Sequence, residues 1–180
     1  LIETILDNTD WTIVSLDRLD FSGNLNRLED IMKKYSPEQK KRVEIVFHDL
    51  RAEVNPQTAG LIGDCQLVLH LAAGSHVDRS ISSPDDFIIT NVLGTLNLLN
   101  ACKDTWDSSD NNCFYHISTD EVYGSLGETG FFTETTPYDP RSPYSASKAS
   151  SDHLVRAYGH TYSLPVKISN CSNNYGSHQF

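Results

Sequence analysis

Apolar residues along the chain follow two alternating patterns, short continuous runs and longer stretches with the spacing of an amphipathic helix. The short runs predict strands, which we place at residues 11–17, 43–47, 67–71, 113–118 and 166–170. The longer stretches predict helices at residues 25–35, 57–62, 87–105 and 144–162. Strands and helices that alternate in this way form βαβ units, so we expect a doubly wound α/β fold with a mostly parallel sheet.

Composition narrows the classes of function. The 180 residues are 38% hydrophobic and 21% charged, which is typical of a globular protein, and we treat residues 1–180 as one domain. A net charge of −10 argues against binding to nucleic acid or to an anionic membrane surface. No apolar run approaches the roughly 18 residues that cross a bilayer. The histidines lack metal-ligand spacing and the four cysteines lack a C-x-x-C pair, so we expect no metal, and reduced thiols in a cytoplasmic protein.

Tyr144 and Lys148 carry the clearest chemical signal in the chain. Pro143 precedes them and an apolar-periodic stretch follows, which predicts a helix that begins near Tyr144. Residues four apart lie on one face of a helix, so the phenol and the ammonium can converge on one point. A nearby cation lowers the pKa of a phenol, and a tyrosine tuned in this way can take a proton from a substrate alcohol as hydride leaves the same carbon. The alternative is a helix that carries the two residues without catalytic purpose.

Asp120 and Glu121 form a second candidate for chemistry. They follow Ser118 and Thr119 at the carboxyl end of a predicted strand, where open α/β sheets bind their ligands. Adjacent carboxylates in one pocket favour different pKa values, so one can act as an acid and the other as a base. A solvated loop in which these residues cap a helix is the alternative. The tyrosine–lysine pair downstream favours the catalytic interpretation.

Three motifs together resemble the extended short-chain dehydrogenase/reductase family, STDEVYG at 118–124, YSASK at 144–148 and NCSNNYG at 170–176. Supporting runs lie at 16–24, 71–80 and 91–95, so the resemblance covers essentially the whole chain. Within that family the match is to the nucleoside-diphosphate-glucose 4,6-dehydratases, nearest to those that act on dTDP-glucose. Relatives that only oxidise or epimerise usually lack both acids after Thr119. The resemblance implies a Rossmann-type core that binds NAD.

The resemblance also implies a role for each catalytic residue in converting dTDP-glucose to dTDP-4-keto-6-deoxyglucose, a step of deoxysugar biosynthesis. Tyr144 would take the proton of the 4-hydroxyl. Lys148 would lower the pKa of the tyrosine and hold the nicotinamide ribose. Glu121 would remove the proton at C5, and Asp120 would protonate the departing 6-hydroxyl. Thr119 would hydrogen-bond the developing 4-ketone.

The acid that ends the first predicted strand bears on the choice of cofactor. In a dinucleotide-binding unit an acid at this place binds the adenosine ribose and repels a 2′-phosphate, so Asp17 favours NAD over NADP. Arg18 beside it could accommodate a phosphate, and Asp17 could instead cap a turn. The resemblance assigns NAD contacts to Asp17, Arg18, Leu19, Asp20, Asp49, Leu50, Leu71, Ala72, Ala73, Ser75, Thr90, Ser118, Tyr144, Lys148 and Asn174. It assigns substrate contacts to Ser75, Thr119 and Asn173.

The sequence lacks the glycine-rich turn that follows the first strand of this fold. Residues 1–6 are typical of the end of the helix behind that turn, and residues 170–176 precede the point where the family continues into a nucleotide-sugar domain. We therefore expect a fragment of a longer, homodimeric enzyme. The missing first strand belongs at the sheet centre, so its loss would divide the sheet into two halves.

Alternatives of two classes remain open, another enzyme that modifies nucleotide sugars and a module without catalysis. A 4-epimerase or decarboxylating relative would share Tyr144 and Lys148 but would have no use for Asp120 and Glu121, whereas a UDP-glucose 4,6-dehydratase would use all four. A non-catalytic NAD-binding module would need none of them.

Overall fold

The computed structural model describes residues 1–19, 25–107 and 111–176, so Asp20 lies outside the described residues. The strands are β1 Ile13–Asp17, β2 Val43–Phe47, β3 Leu67–His70, β4 Cys113–Thr119 and β5 Val166–Cys171. The α-helices are α1 Ile2–Asn8, α2 Leu25–Met32, α3 Pro37–Lys40, α4 Pro56–Gly63, α5 Val77–Ser82, α6 Pro84–Phe87, α7 Gly94–Thr105 and α8 Pro143–Tyr162. A π-helical segment, Ile88–Leu93, joins α6 to α7, and a 3₁₀ turn, Asp120–Tyr123, follows β4.

The strands form two parallel sheets, and each sheet belongs to one of two compact units. In the first unit, Leu1–Asp49, β1 pairs with β2. In the second unit, from Leu50 onward, the strand order is β3-β4-β5. The predicted parallel α/β architecture is therefore confirmed, and the described strands also show the expected division into two sheets.

Strand β4 positions the candidate acids. It lies between β3 and β5, and Phe114, His116 and Ser118 on one of its faces are buried. Thr119 lies opposite Cys171 in the register with β5, so the two strands end together. The carboxyl end of β4 leads directly into the 3₁₀ turn that carries the acids.

Helix α8, 20 residues long, packs on β4 and β5. A reciprocal capping box between Ser142 and Ser145 starts it, with Pro143 in its first turn, so it begins one residue before the predicted position. It ends at Ser163, whose φ of 56° is left-handed. The buried face of the helix includes several polar residues, which are Ser145, Ser147, Lys148, Ser151 and Asp152. Polar groups buried in this way need hydrogen-bond partners, and the partners of this face define the candidate site.

The helix predicted over residues 87–105 is in fact divided among α6, the π-helical segment and α7. Asn91 lies in the widened π-helical turn and is only 1% exposed. Its Oδ1 accepts from the Gly74 backbone N–H at 2.7 Å, and its Nδ2 donates to the Gly74 carbonyl at 3.1 Å. Hydrophobic spacing indicates which face of a helix is buried, but it does not reveal a widened turn. The sequence pattern therefore predicted one continuous helix where the structure has three elements. Across the described ranges, every helix is too short or too polar to cross a bilayer.

Candidate active site

Tyr144 and Lys148 lie one turn apart near the start of α8, as their spacing predicts. The Lys148 side chain is buried, and its Nζ donates to the Ile117 carbonyl of β4 at 2.8 Å. Tyr144 is half-buried, with its ring edge-on to Phe87 at a centroid distance of 6.3 Å. Both side chains therefore belong to the region where α8 covers the carboxyl end of β4.

The pKa of Tyr144 is shifted in the direction opposite to the lowering that a nearby cation would produce. The pKa of Tyr144 is raised, first by burial and then by the charge of Glu121, while the Thr119 side chain acts in the opposite direction. Burial lowers the pKa of Lys148 to about 8, and Asp152 and Cys171 partly offset that shift. Burial and the neighbouring acids therefore outweigh any lowering of the phenol's pKa by the Lys148 ammonium.

Thr119, Asp120 and Glu121 meet Tyr144 at the end of β4. The Thr119 hydroxyl accepts from the Glu121 backbone N–H at 3.3 Å and lies 3.4 Å from the nearer Asp120 carboxylate oxygen. Thr119 thus caps the 3₁₀ turn, as the non-catalytic alternative supposed. The charges of both acids also raise the pKa of Tyr144. Thr119 can therefore cap the turn while the two acids belong to the candidate site. The pKa of Glu121 is raised, first by burial and then by the Asp120 charge.

Ser118, which the resemblance assigns to the cofactor, points into the protein. Its hydroxyl donates to the buried Asp152 carboxylate at 2.9 Å. The single proton of that hydroxyl is therefore committed to Asp152, and only lone pairs or backbone groups of Ser118 remain for a ligand.

The other residues assigned to ligands in the second unit lie on a more open surface. Leu71, Ala72, Ala73 and Ser75 are all exposed in the irregular segment that follows β3. Asn173 and Asn174 are exposed after β5, Leu50 is half-buried, and Thr90 is half-buried in the π-helical segment. The structure therefore places the residues at 71–75 and 173–174 just beyond the carboxyl ends of β3 and β5, the two strands that flank β4.

In the first unit, Asp17 ends β1 and is exposed. Its Oδ1 accepts from the Leu19 backbone N–H at 2.7 Å, and Leu19 has a left-handed φ of 51°. Asp17 thus caps a turn, which is the alternative that the sequence left open. Arg18 and Asp49 are half-buried at the ends of β1 and β2. In the described part of the chain no cluster of His, Cys, Asp and Glu could hold a metal ion.

A family model described as GDP-mannose 4,6 dehydratase matches residues 1–180. The chain belongs to this family. A dTDP-glucose 4,6-dehydratase from Xanthomonas campestris pv. campestris is 50% identical over 185 residues, which cover 93% of this chain and 48% of that relative. The chain spans about half the length of the curated relatives it matches.

Solved structures agree with the family assignment. A dTDP-glucose 4,6-dehydratase from Streptomyces venezuelae with NAD bound is 39% identical and superposes with a TM-score of 0.79, over 98% of this chain and 51% of that one. A UDP-glucuronic acid 4-epimerase from Bacillus cereus, in complex with UDP-glucuronic acid and NAD, is 27% identical with a TM-score of 0.75, over 94% and 51% of the two chains. The predicted family resemblance and Rossmann-type fold are confirmed.

Two buried residues of this dehydratase-family chain were not singled out from its sequence. Asn91 joins the Gly74 backbone to Ser147, whose Oγ accepts from Asn91 Nδ2 at 2.9 Å, and so links the segment after β3 to α8. Asp152 lies under the Tyr144–Lys148 pair. A sequence signal existed for Asp152 alone, because it continues the four-residue spacing of Tyr144 and Lys148 along α8.

Proposed function

We propose that the full-length protein removes water from a nucleoside-diphosphate-glucose, with dTDP-glucose as substrate, to give the 4-keto-6-deoxy sugar. The observation that carries this proposal is that the turn with Asp120 and Glu121 packs against α8, which carries Tyr144, and that both carboxylates raise the pKa of the phenol. Oxidation of an alcohol needs one proton acceptor, whereas elimination of water also needs a base at carbon and an acid at oxygen. The name of the Xanthomonas relative supports dTDP as the nucleotide.

Tyr144 takes the proton of the 4-hydroxyl in this proposal. Its raised pKa means that the phenolate needs a cation nearby when it forms. The Lys148 ammonium has three donors and gives one to the Ile117 carbonyl, so two remain for the phenolate and for a ribose hydroxyl.

Glu121 and Asp120 divide the elimination between them. Burial and the Asp120 charge raise the pKa of Glu121, which makes it a stronger base for the C5 proton than a solvated carboxylate. Asp120 protonates the leaving 6-hydroxyl. The Thr119 hydroxyl lies 3.4 Å from an Asp120 carboxylate oxygen, and it hydrogen-bonds the 4-ketone when its proton turns from Asp120 to the substrate.

The residues present fit NAD as the cofactor. When bound, NAD supplies the hydride acceptor for C4 and returns hydride to C6, so the reaction has no net redox change. The exposed segment after β3 carries the small side chains of Ala72 and Ala73, which allow a dinucleotide to approach the backbone. Asp17 is exposed at the end of β1, where an acid favours NAD over NADP. The bound NAD of the Streptomyces structure supports this choice.

The decisive experiment combines Asp120→Asn with Glu121→Gln in the full-length protein. Because each general acid or base contributes typically 10²–10⁴-fold, we expect loss of water from dTDP-glucose to slow by at least about 100-fold. Tyr144 and Lys148 are untouched, so the 4-keto hexose that keeps its 6-hydroxyl should accumulate, as measured by mass spectrometry. Glu134→Gln, in the exposed part of the loop after β4, is the matched control and should dehydrate normally. Dehydration by the double variant at nearly the wild-type rate would refute the assigned roles.

A 4-epimerase is the alternative, since the Bacillus epimerase shares the fold at 27% identity, but the 50% identity to a dTDP-glucose 4,6-dehydratase supports dehydration. An epimerase would use Tyr144 and Lys148 and would return a sugar of unchanged mass. The product of the wild-type protein therefore separates the two functions directly, and dTDP-, UDP-, CDP- and GDP-glucose tested in parallel identify the nucleoside.

The remaining parts of the proposal are the assembly and the compartment. We infer a homodimer from the resemblance alone, and light scattering of the full-length protein tests it. The cysteines at 65, 102, 113 and 171 are free, which supports a reducing compartment such as the cytoplasm.

A further inference from the structure

Asp152 is a buried carboxylate for which the proposed chemistry has no use. It lies one helical turn beyond Lys148 on α8, and its exposed fraction is 0%. One of its oxygens, Oδ2, accepts from Ser118 Oγ at 2.9 Å, from Tyr138 Oη at 2.8 Å and from Asn170 Nδ2 at 3.2 Å. These donors come from β4, from the loop after β4 and from β5. A single carboxylate oxygen thus ties α8 to all three.

The charge of Asp152 has no direct ion-pair partner of fixed charge among the described residues. Its other oxygen, Oδ1, lies 3.3 Å from His116 Nε2, without the alignment of a hydrogen bond. The buried cation nearest along the helix is Lys148, which is 4% exposed and gives its hydrogen bond to the Ile117 carbonyl. An isolated buried charge is costly, so two opposite charges on one face of α8 stabilise each other even without contact.

We propose that Asp152 is a positioning residue that balances the charge of Lys148 across one helical turn while leaving the donors of the ammonium free. The three donors that converge on Oδ2 hold the carboxylate in place, so it does not need to draw Lys148 into a direct ion pair. Lys148 therefore keeps its hydrogen atoms for Tyr144 and a ribose. That consequence rests on the proposed function, whereas the charge balance itself does not.

The groups around Lys148 determine how its pKa changes when the charge of Asp152 is removed. Burial lowers its pKa to about 8, and the charges of Asp152 and then Cys171 act to raise it. The histidines that face it, His70 on β3 and His116 on β4, have pKa values lowered by burial and are neutral above pH 7. Of the other elements packed on α8, the 3₁₀ turn contributes acids that act on Tyr144, and the π-helical segment contributes the neutral Asn91. Loss of the Asp152 charge must therefore lower the pKa of Lys148 further.

The first test measures Lys148 itself. The full-length protein is labelled with ¹³Cε-lysine, and the Lys148 resonance is identified as the one that Lys148→Met removes. We expect Asp152→Asn to lower the midpoint of its titration by about one pH unit or more, a tenfold change in proton affinity. Tyr138→Phe removes one donor from Asp152 but keeps the charge, so it should leave the midpoint near the wild-type value. Cys171→Ser measures how much the Cys171 thiol contributes to the pKa of Lys148. An unchanged midpoint in folded Asp152→Asn would overturn the proposal.

The second test uses turnover. If the protein is a dehydratase, the alkaline limb of kcat should move to lower pH in Asp152→Asn, and kcat should recover towards wild type as the pH is lowered to about 6. A purely structural role would reduce kcat at every pH and leave the limb in place, which contradicts the proposal. If the protein does not turn over dTDP-glucose, this limb is not measured and the lysine titration still decides.

A third variant covers the case in which Asp152→Asn does not fold. Lys148→Met combined with Asp152→Asn removes both charges, so the double variant should be more stable than Asp152→Asn alone. If Lys148→Met folds while the double variant is as unstable as Asp152→Asn, the carboxylate is needed for its hydrogen bonds only. The proposal that Asp152 balances the charge of Lys148 would then be wrong.

Discussion

Two sides of the candidate site in the second unit contrast in their construction. We define the closed side as residues 116–121 with 144–152, and the open side as residues 71–76 with 172–176. On the closed side, Ser118, Lys148 and Asp152 are buried and tied to neighbours by side-chain hydrogen bonds, and His116 is buried with its Nε2 3.3 Å from Asp152 Oδ1. On the open side, nearly every residue is exposed. A shift in pKa requires desolvation and fixed partners, whereas a surface that binds a large ligand must stay accessible until the ligand arrives.

The contrast predicts how substitutions will act. A change on the closed side removes partners from buried polar groups, so it should lower stability and activity together. A change on the open side should alter ligand binding with little effect on the free energy of unfolding. The variants below test this division, in order of decreasing effect on stability.

Asn91→Ala should have the largest effect, because Asn91 connects Gly74 of the open side to Ser147 of the closed side. Its loss leaves the Gly74 N–H and the Gly74 carbonyl without this partner, and the Ser147 hydroxyl keeps only its bond to the Tyr144 carbonyl. We expect the free energy of unfolding to fall by about 3 kcal/mol, as measured by urea denaturation. Ser75→Ala, on the exposed part of the same segment, is the control and should change it by less than about 0.5 kcal/mol. Equal effects of the two variants would contradict the division.

Gly124→Ala tests the point where the loop over the site leaves the closed side. Gly124 has a φ of 85°, and a Cβ there would lie 2.6 Å from the Asp139 carbonyl oxygen. We expect a loss of about 2 kcal/mol, because both the left-handed backbone and the contact oppose a side chain. Gly130, with a φ of 105° and nothing within 4 Å of its would-be Cβ, separates the two causes. Gly130→Ala should cost about 1 kcal/mol, and a cost as large as that of Gly124→Ala would mean that the Asp139 contact is unimportant.

The closed and open sides also differ in how far sequence could predict them. Periodicity located all five strands, and the Tyr144–Lys148 spacing identified the helix face of the closed side, because both depend on local pattern. The same spacing could not predict that Lys148 would bond the Ile117 carbonyl, which depends on how closely α8 packs on β4. The phenol's raised pKa was missed for the same reason, since desolvation is a property of the packed fold.

The hydrogen-bond partners of Asp152 could not be predicted from the sequence either. Ser118, Tyr138 and Asn170 are far apart in sequence and meet only because β4, the loop and β5 converge on α8. In the first unit, the turn at Asp17 was anticipated as an alternative, because an acid at a strand end caps a turn through purely local bonds.

His70, whose ring centroid lies 5.2 Å from that of His116 on the closed side, makes the protein sensitive to acid. Burial holds its pKa well below its usual value, so the folded state keeps His70 neutral while the unfolded chain takes up a proton below about pH 6.5. Stability is therefore unaffected by His70 above that pH and falls, by up to about 1.4 kcal/mol per pH unit, as the pH decreases below it. His70→Gln can still donate to Thr95 Oγ1, which His70 Nε2 contacts at 2.9 Å.

We expect denaturation at pH 7.0 and 5.5 to show a smaller loss in His70→Gln than in wild type. His116, whose pKa is also lowered by burial, should account for part of the loss that remains. An identical loss in wild type and variant would show that another group controls the acid sensitivity.

Asp17 should have the smallest effect on stability, and it separates two roles for one carboxylate. Asp17→Asn keeps an oxygen that can accept from the Leu19 N–H but removes the charge, so the free energy of unfolding should change by less than about 0.5 kcal/mol. If Asp17 also binds the adenosine ribose, the variant should lose roughly tenfold in NAD affinity, because hydrogen bonds to a charged group contribute about 1.5–3 kcal/mol. Its discrimination against NADP should weaken at the same time, since the charge that repels a 2′-phosphate is gone. Calorimetric titration of the full-length protein with both cofactors measures the two effects. Unchanged affinity for NAD and unchanged discrimination would reduce Asp17 to a turn cap and leave the choice of cofactor to other residues.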